Sequence, residues 1–222
     1  MTRHPAKYTD ALLPVFAEML AGATRILDPF AGTGKLFELQ PALPDTQFVG
    51  VEIEPEWAAM HPGIIQGNAL TLPFAANTFD AACTSSTYGN RMADHHEARD
   101  DSPRNTYRHV LGRPLHPANS GAMQWSEAYR DFHRAAWTEL HRVLQKNGRL
   151  VLNCKDHIRA GQLIPVTRWH VETLMGLGFD VQEWRHVPCP GNRRGAHHQL
   201  RVDFESVILL KLIRKPKERR IP

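Results

Sequence analysis

The stretch that most constrains the fold is residues 25–35, which run Arg-Ile-Leu-Asp-Pro-Phe-Ala-Gly-Thr-Gly-Lys. An apolar run that ends in an acid and passes into two glycines is typical of a buried strand, a tight turn and a helix start. Gly32 and Gly34 lack side chains, so the backbone can adopt positive φ angles and approach a ligand closely. In doubly wound sheets the free amides of such a helix start face the ligand. The stretch therefore predicts a nucleotide-like ligand at this edge.

Two common nucleotide motifs do not fit these residues. A P-loop would place a glycine at Pro29 and a serine or threonine at Leu36, where neither type is present. A dinucleotide fingerprint needs a third glycine at Phe37, so a nicotinamide or flavin site is a poor match as well.

The turn resembles instead the D-P-F-x-G-x-G signature of S-adenosylmethionine-dependent methyltransferases, in particular those that methylate amino groups of DNA bases. The resemblance implies a class I Rossmann-like α/β fold, with a seven-stranded, mostly parallel sheet, an antiparallel last strand and helices on both faces. It also implies that the loop wraps the methionine half of S-adenosyl-L-methionine. The loop residues that would contact this donor are Asp28, Phe30, Ala31, Gly32 and Gly34.

A segment near the N-terminus, residues 4–13, resembles the H-P-x-x-x-x-[DE]-A-L-L segment of the same enzymes. In that family the segment lies beside the donor, which would make Lys7 and its neighbour Tyr8 donor contacts. The other interpretation is a packing helix, since Leu12, Phe16 and Leu20 fall on one face at helical spacing. Both interpretations stay open on the sequence alone.

Two segments that follow the glycine loop in the sequence match, in order, the other parts of a donor site. Residues 47–52 form a predicted strand that ends in Glu52, about 20 residues after Asp28, where a carboxylate can accept both ribose hydroxyls of an adenosine. The alternative is a solvated acid at a strand end. Ile53 would flank the adenine. Asn68 and Ala69 belong to a stretch that resembles G-[DN]-A-x-x-L-P-F, in which the polar side chain reaches the adenine amino group and the next amide reaches a ring nitrogen.

The acceptor motif follows a predicted fourth strand, residues 78–84. Residues 84–91 resemble T-S-P-P-Y-G-N-R of the DNA amino-methyltransferases, with Thr84, Ser85 and Tyr88 in matching positions but Ser86 and Thr87 in place of both prolines. The resemblance makes Thr84 a further expected donor contact. By position, the Ser85 hydroxyl and the Ser86 carbonyl would accept hydrogens of the target amine and aim its lone pair at the methyl group. Tyr88 would stack on a flipped-out base. Among the resembling enzymes a serine at the first motif position is commoner in those that methylate cytosine, so the resemblance favours cytosine over adenine.

The missing prolines predict a less rigid acceptor loop. A compatible proline contributes only ~0.4 to 1 kcal/mol to stability, so the fold tolerates the change, but misplacing an acceptor by about 1 Å can cost on the order of a hundredfold in rate. A weak or catalytically silent relative that binds donor and nucleic acid is therefore one alternative. A methyltransferase for RNA or a small molecule is another.

Charge and loop length favour DNA as the partner. The formal net charge is +4, with 27 Lys and Arg beside 13 His, which suits a polyanion. Residues 92–124 are too long for an ordinary connection, and their second half is basic; the alternative is a flap that folds over the donor. The DNA-contacting loops are predicted at residues 89–125, 155–165 and 188–202.

The chain is expected to form one methyltransferase domain over residues 1–213, followed by a basic tail, 214–222. Cys83, Cys154 and Cys189 are far apart in sequence, which indicates neither a disulfide framework nor a metal site. No apolar run approaches the roughly 20 residues of a membrane span. A cytoplasmic enzyme of restriction-modification type, without membrane or metal, is the resulting expectation.

Overall fold

The computed structural model describes residues 9–89, 106–189, 200 and 202–213. Lys7, the tail 214–222, and parts of the loops predicted to contact DNA lie outside these ranges. Within them, no helix is long and apolar enough to cross a membrane.

Seven strands form one sheet, and two short strands form a separate hairpin. The sheet order is β3-β2-β1-β4-β5-β9-β8, in which β1 to β5 are parallel and β9 runs antiparallel to both β5 and β8. This arrangement confirms the predicted fold class. The strands are β1 Arg25–Asp28, β2 Gln47–Glu52, β3 Ile64–Gln66, β4 Phe79–Ser85, β5 Leu144–Cys154, the hairpin pair β6 His157–Arg159 and β7 Gln162–Ile164, β8 Phe179–Pro188 and β9 Phe204–Leu212.

Helices cover both faces of the sheet. On one face, Phe16 and Leu20 of the first helix pack with Ile26 of β1 and Val207 of β9 in one buried cluster. On the other face, α4 and α5 contribute buried residues such as Trp137 to a second cluster. Burial of both faces fits the nearly continuous apolar sequences of the central strands. The helices are α1 Leu13–Leu20, α2 Pro55–Ala58, α3 Tyr107–Leu111, α4 Glu127–Val143 and α5 Val166–Gly176.

Several boundaries differ from the sequence prediction. The turn after β1 leads into a 3-10 helix, Lys35–Leu39, rather than an α-helix. Apolar residues at helical spacing predict a helix over residues 126–145, with Asn147-Gly148 as its stop signal. The helix instead ends at Val143, because Leu144 already pairs in the sheet, opposite Phe79. Asn147, which was predicted to stop that helix, has a φ of 65° inside the β5 segment.

The topology brings several chain segments to one edge of the sheet. The carboxyl ends of parallel strands share an edge, which is where ligands bind in open α/β sheets. Ser85, at the end of β4, lies opposite Asn153 of β5, and Asn153 lies opposite Val207 of β9. Because β9 is antiparallel, its first residues, including Glu205, also lie at this edge.

Asp80 connects the start of β4 to the start of β1. Its carboxylate accepts hydrogen bonds from the Thr24 amide at 2.7 Å, the Thr24 hydroxyl at 2.8 Å and the Arg25 amide at 2.8 Å. Partial burial acts to raise the pKa of Asp80, but these hydrogen bonds outweigh it and lower the pKa below its ordinary value. Stability from Asp80 is therefore present at neutral pH and lost as the pH falls.

We predict that Asp80→Asn lowers the free energy of unfolding at pH 7 by about 1–3 kcal/mol, because it weakens charge-assisted hydrogen bonds to two backbone amides. Urea denaturation measures the change. Asp45→Asn, at an exposed position, is the control, and an Asp80→Asn loss no larger than the control's would contradict the assignment.

Candidate functional site

A pocket of about 360 Å³ opens at the carboxyl edge of the sheet. Small-molecule sites span about 300–1,000 Å³, so the pocket can enclose a ligand of cofactor size. Its lining includes the glycine loop after β1, the end of β2 with the turn after β3, and the end of β4 with neighbouring residues of β5 and β9. Residues of the long loop, with Trp57 and Phe132, complete the lining. The donor-site residues predicted within the described ranges that line it are Phe30, Ala31, Gly32, Glu52, Ile53, Asn68 and Ala69.

The glycine loop has the backbone that its sequence predicts. Gly32 and Gly34 have φ angles of 53° and 86°, in the left-handed region that favours glycine. The loop also packs closely on β2, since a Cβ atom at Gly50 would come within 2.7 Å of the Ala31 Cβ atom. These contacts hold the loop against the end of β2.

Asp28, at the end of β1, is buried and connects the glycine loop to β4. Its Oδ1 atom accepts hydrogen bonds from the Phe30 amide at 3.0 Å and from the Thr84 hydroxyl at 2.7 Å. Thr84 is fully buried. Two predicted donor residues, Asp28 and Thr84, therefore act within the structure as supports for the loops that line the pocket.

Glu52 is not the solvated acid of the alternative interpretation. It is only 8% exposed, and its two oxygens accept hydrogen bonds from the Gly32 amide at 2.9 Å and the Glu54 amide at 2.8 Å. Burial raises the pKa of Glu52 to about 7, against the opposing effect of these backbone hydrogen bonds. A buried carboxylate in a pocket wall, with a pKa raised toward 7, is typical of a ligand site.

Asn68 lines the pocket but has a structural task as well. Its Oδ1 atom accepts a hydrogen bond from the Leu70 amide at 2.9 Å. The predicted contact with an adenine amino group would use the same oxygen, which retains a second lone pair. Ile53 and Ala69 line the same part of the pocket.

The second half of the long loop forms a flap over this end of the pocket, which we define as residues 106–125. Its anchor is Glu54, which is fully buried and accepts hydrogen bonds from the Arg113 guanidinium at 2.7 Å, the His116 amide at 2.8 Å and the Asn119 side-chain amide at 2.8 Å. Three hydrogen-bond donors of the flap therefore meet at the carboxylate of Glu54, which lies in the turn after β2.

An aromatic contact closes the flap on the same side. Tyr107, from α3, packs edge-on against Trp57 with ring centroids 5.3 Å apart, and Tyr107 lines the pocket. A side chain at Gly121 would collide with the Tyr107 ring, since its Cβ atom would lie 2.5 Å away. Residues 106–125 thus fold over the pocket, as in the interpretation of the loop as a flap. Arg113 of the flap forms ion pairs with Glu54 and Glu56.

The acceptor end of the pocket holds a hydrogen-bonded cluster that sequence reasoning identified only in part. The Tyr88 hydroxyl lies 3.2 Å from Ser85 Oγ and 3.3 Å from Glu205 Oε2. Asn153 Nδ2 donates to Glu205 Oε2 at 2.8 Å and lies 3.4 Å from Ser85 Oγ. Burial, with the nearby Glu205 charge, raises the pKa of Tyr88 well above its ordinary value. The structure thus brings Ser85 and Tyr88 together, and adds Asn153 and Glu205.

Asn153 also presents an acceptor without a partner. The residue is 1% exposed and lines the pocket, and among the described residues no donor contacts its Oδ1 atom. A buried amide oxygen is costly when unpaired, and this one belongs to a residue of the pocket lining. The sequence signal for Asn153 and Glu205 is their place in the chain. Asn153 lies near the carboxyl end of β5 and Glu205 near the start of the antiparallel β9, and the predicted topology puts both at the ligand edge.

Hydrogen bonds attach the acceptor loop, in which Ser86 and Thr87 replace the prolines, to neighbouring elements. The Thr87 carbonyl accepts a hydrogen bond from the Tyr129 hydroxyl, and Thr87 Oγ1 lies 3.0 Å from Ser120 Oγ. The Ser86 hydroxyl is buried and lies 3.6 Å from Cys154 Sγ. The Thr87 and Ser86 hydroxyls make contacts that a proline ring cannot make, while the expected difference in loop rigidity stays a prediction.

Comparison with protein-family models and with curated protein sequences finds no match. Solved structures do match over most of the chain. A SAM-dependent methyltransferase of Methanosarcina mazei aligns with a TM-score of 0.57 and 14% identity, covering 91% of this chain and 98% of its own. The N-methyltransferase NodS of Bradyrhizobium japonicum aligns with a TM-score of 0.52 and 11% identity, covering 91% and 93%.

The [4+2]-cyclase SpnF aligns with a TM-score of 0.54 and 18% identity, covering 91% of this chain and 80% of its own. The chain therefore has the fold of S-adenosylmethionine-dependent methyltransferases. Because that fold also occurs in a protein described as a cyclase, the reaction has to be argued from the pocket.

We predict that Glu54→Gln loosens the flap, because it removes the charge on which Arg113, His116 and Asn119 converge. Hydrogen exchange of amides in residues 107–119 should accelerate at least severalfold, while β5 keeps its protection. Arg134→Gln, which removes exposed ion pairs on α4, is the control. Unchanged flap exchange in Glu54→Gln would show that this carboxylate is not the anchor.

Proposed function

We propose that this protein is an S-adenosylmethionine-dependent methyltransferase that methylates an exocyclic amino group, with a DNA base, cytosine before adenine, as the acceptor. The observation that supports an amino acceptor is the group of residues that bring oxygens to the acceptor end: Ser85 with its hydroxyl, Ser86 with its carbonyl and Glu205 with its carboxylate. A site rich in hydrogen-bond acceptors selects a substrate that offers N–H donors.

The donor half of the pocket fits S-adenosylmethionine. Buried Glu52 would accept the ribose hydroxyls, and the backbone at Gly32 would approach the methionine portion without a side chain in the way. Ile53 and Tyr107 offer apolar and aromatic surface for the adenine. When bound, this donor supplies an electrophilic methyl group on a sulfonium centre.

The acceptor half would prepare the nucleophile. The lone pair of an exocyclic amine is delocalised into its ring, and acceptors on both N–H groups favour a pyramidal nitrogen that points at the methyl group. Ser85 Oγ and the Ser86 carbonyl, the two acceptors that the motif implies, would take these two hydrogens. Glu205 is a carboxylate at the same end, where it can accept the proton that the methylated nitrogen must lose.

The choice of DNA rests on the resemblance of residues 84–91 to the T-S-P-P-Y-G-N-R motif and on the net charge of +4. Tyr88 would contribute stacking on a flipped base. The described flap contributes little free positive charge from Arg113, because Glu54 and Glu56 neutralise it. Phosphate contacts would then come from other parts of the predicted loops.

A small-molecule amine is the second candidate, and Glu205 favours it. A carboxylate within the acceptor cluster suits an amine that binds as a cation and loses a proton before methylation. The flap also covers the pocket from the donor side, which suits a ligand that is enclosed rather than splayed from a polymer. This candidate does not need a basic outer surface.

The raised pKa of Glu52 predicts a pH dependence of donor binding. Only the ionised carboxylate accepts two hydroxyl donors with full strength, so below pH 7 the affinity for S-adenosylmethionine should fall by up to about tenfold per pH unit. Calorimetric titration between pH 5.5 and 8 measures it. Glu52→Gln should bind weakly at every pH, whereas Glu127→Gln, on the exposed side of α4, should keep the wild-type profile.

Acceptor classes are separated by offering tritiated S-adenosylmethionine with DNA, RNA or a small-molecule cell extract, followed by mass spectrometry of the labelled product. We expect label on an amino nitrogen of a DNA base. Ser85→Ala should reduce the rate by on the order of a hundredfold through loss of one acceptor, with donor affinity unchanged. Label in the small-molecule fraction alone would move the assignment to the second candidate, and label in none would overturn the enzyme proposal.

A further inference from the structure

A buried chain of hydrogen bonds runs from α4 and α5 to the acceptor loop. Trp137 Nε1 donates to His170 Nδ1 at 3.0 Å, and His170 Nε2 lies 2.8 Å from the Tyr129 hydroxyl oxygen. The Tyr129 hydroxyl in turn contacts the Thr87 carbonyl oxygen. Trp137, His170 and Tyr129 are all fully buried. The chain ends at the residue that precedes Tyr88.

The direction of every hydrogen bond in this chain is fixed. An indole N–H can only donate, so His170 Nδ1 is the acceptor and its proton resides on Nε2. That proton is donated to the Tyr129 oxygen, which leaves the Tyr129 hydroxyl proton for the Thr87 carbonyl. Burial lowers the pKa of His170 well below its ordinary value and raises that of Tyr129, so both groups stay neutral.

Aromatic packing restricts Tyr129 further. The His133 ring lies 4.1 Å from the Tyr129 ring, centroid to centroid, and the Trp125 ring lies 5.3 Å away. His133 is itself held, since its Nδ1 atom lies 2.9 Å from the Tyr129 carbonyl oxygen. Trp125 is also tied to the acceptor loop, because its amide donates to the Gly89 carbonyl at 2.8 Å. The tyrosine ring has little room to move.

We propose that Tyr129, oriented by His170 and Trp137, is a positioning residue that fixes the acceptor loop through the Thr87 carbonyl. The hydrogen bond fixes the peptide plane between Thr87 and Tyr88, and with it the direction in which Tyr88 and Ser85 face the pocket. In this chain a hydrogen bond from the core restrains the segment where the resembling enzymes carry prolines. The catalytic consequence rests on the proposed function, but the restraint does not.

Two measurements on Tyr129→Phe test the proposal, because this change removes one hydroxyl and keeps the ring. Hydrogen exchange of the amides of residues 85–89 should accelerate at least severalfold. Methyl transfer from tritiated S-adenosylmethionine to DNA should fall in kcat by on the order of ten- to a hundredfold, while the donor Kd by calorimetry changes less than about twofold. Trp137→Phe, which leaves His170 Nδ1 without its donor, should shift both readouts in the same direction.

Thr46→Val is the matched control. It removes another buried hydroxyl, one that donates to the Ala23 carbonyl at 2.7 Å, remote from the pocket. Exchange of residues 85–89 in Tyr129→Phe equal to that of the control would overturn the proposal. Faster loop exchange without methyl transfer by the wild type would uphold the restraint and reject the proposed function. If Tyr129→Phe does not fold, exchange in Trp137→Phe decides.

Discussion

The buried Asp28 carboxylate connects the two halves of the pocket. A single oxygen atom accepts hydrogen bonds from the Phe30 amide, in the glycine loop, and from the Thr84 hydroxyl, one residue before the acceptor serine. The glycine loop and the end of β4 are therefore held by the same atom at the end of β1. Under the proposed function these two segments would carry the donor and the acceptor, and a shared support would limit the displacements of about 1 Å that slow such a transfer.

Around this support, each loop is fastened to the sheet or its flanking helices by a buried polar group. Glu52 accepts a hydrogen bond from the Gly32 amide of the glycine loop, and Glu54 accepts three hydrogen bonds from the flap. The Tyr129 hydroxyl donates a hydrogen bond to the Thr87 carbonyl of the acceptor loop. Buried polar groups are costly unless they are paired, so each of these contacts specifies one loop arrangement. The pocket is consequently preformed on the donor side, which favours electrostatic preorganisation over adjustment on binding.

The sequence predicted the backbone of the glycine loop and the order of the strands well because these signals are local. A glycine pair after an apolar strand, and an acid about 20 residues on, define backbone geometry and strand order together. The fold class and the place of Gly32, Glu52 and Ser85 at one edge follow from that. Thr87 illustrates the opposite case: its side chain type indicated a flexible loop, while the partner that restrains it lies on a helix 42 residues away.

The remaining differences also come from contacts between distant residues. Glu205 meets Tyr88 across a separation of 117 residues, and the flap meets Glu54 through pairs separated by 59 to 65 residues. No periodicity or capping pattern encodes such contacts. The end of α4 differs from the prediction for a related reason. Leu144 pairs with Phe79 in the sheet instead of continuing the helix, and tertiary context overrides helix propensity at this position.

The central claim is that the pocket at the carboxyl edge binds a sulfonium methyl donor. Calorimetric titration of S-adenosylmethionine into the purified wild-type protein at pH 8, with ATP and NAD as comparison ligands, tests it most directly. We expect one donor molecule to bind per chain, S-adenosylhomocysteine to compete with it, and neither ATP nor NAD to bind comparably. Absence of donor binding, or equal binding of the three nucleotides, would contradict it.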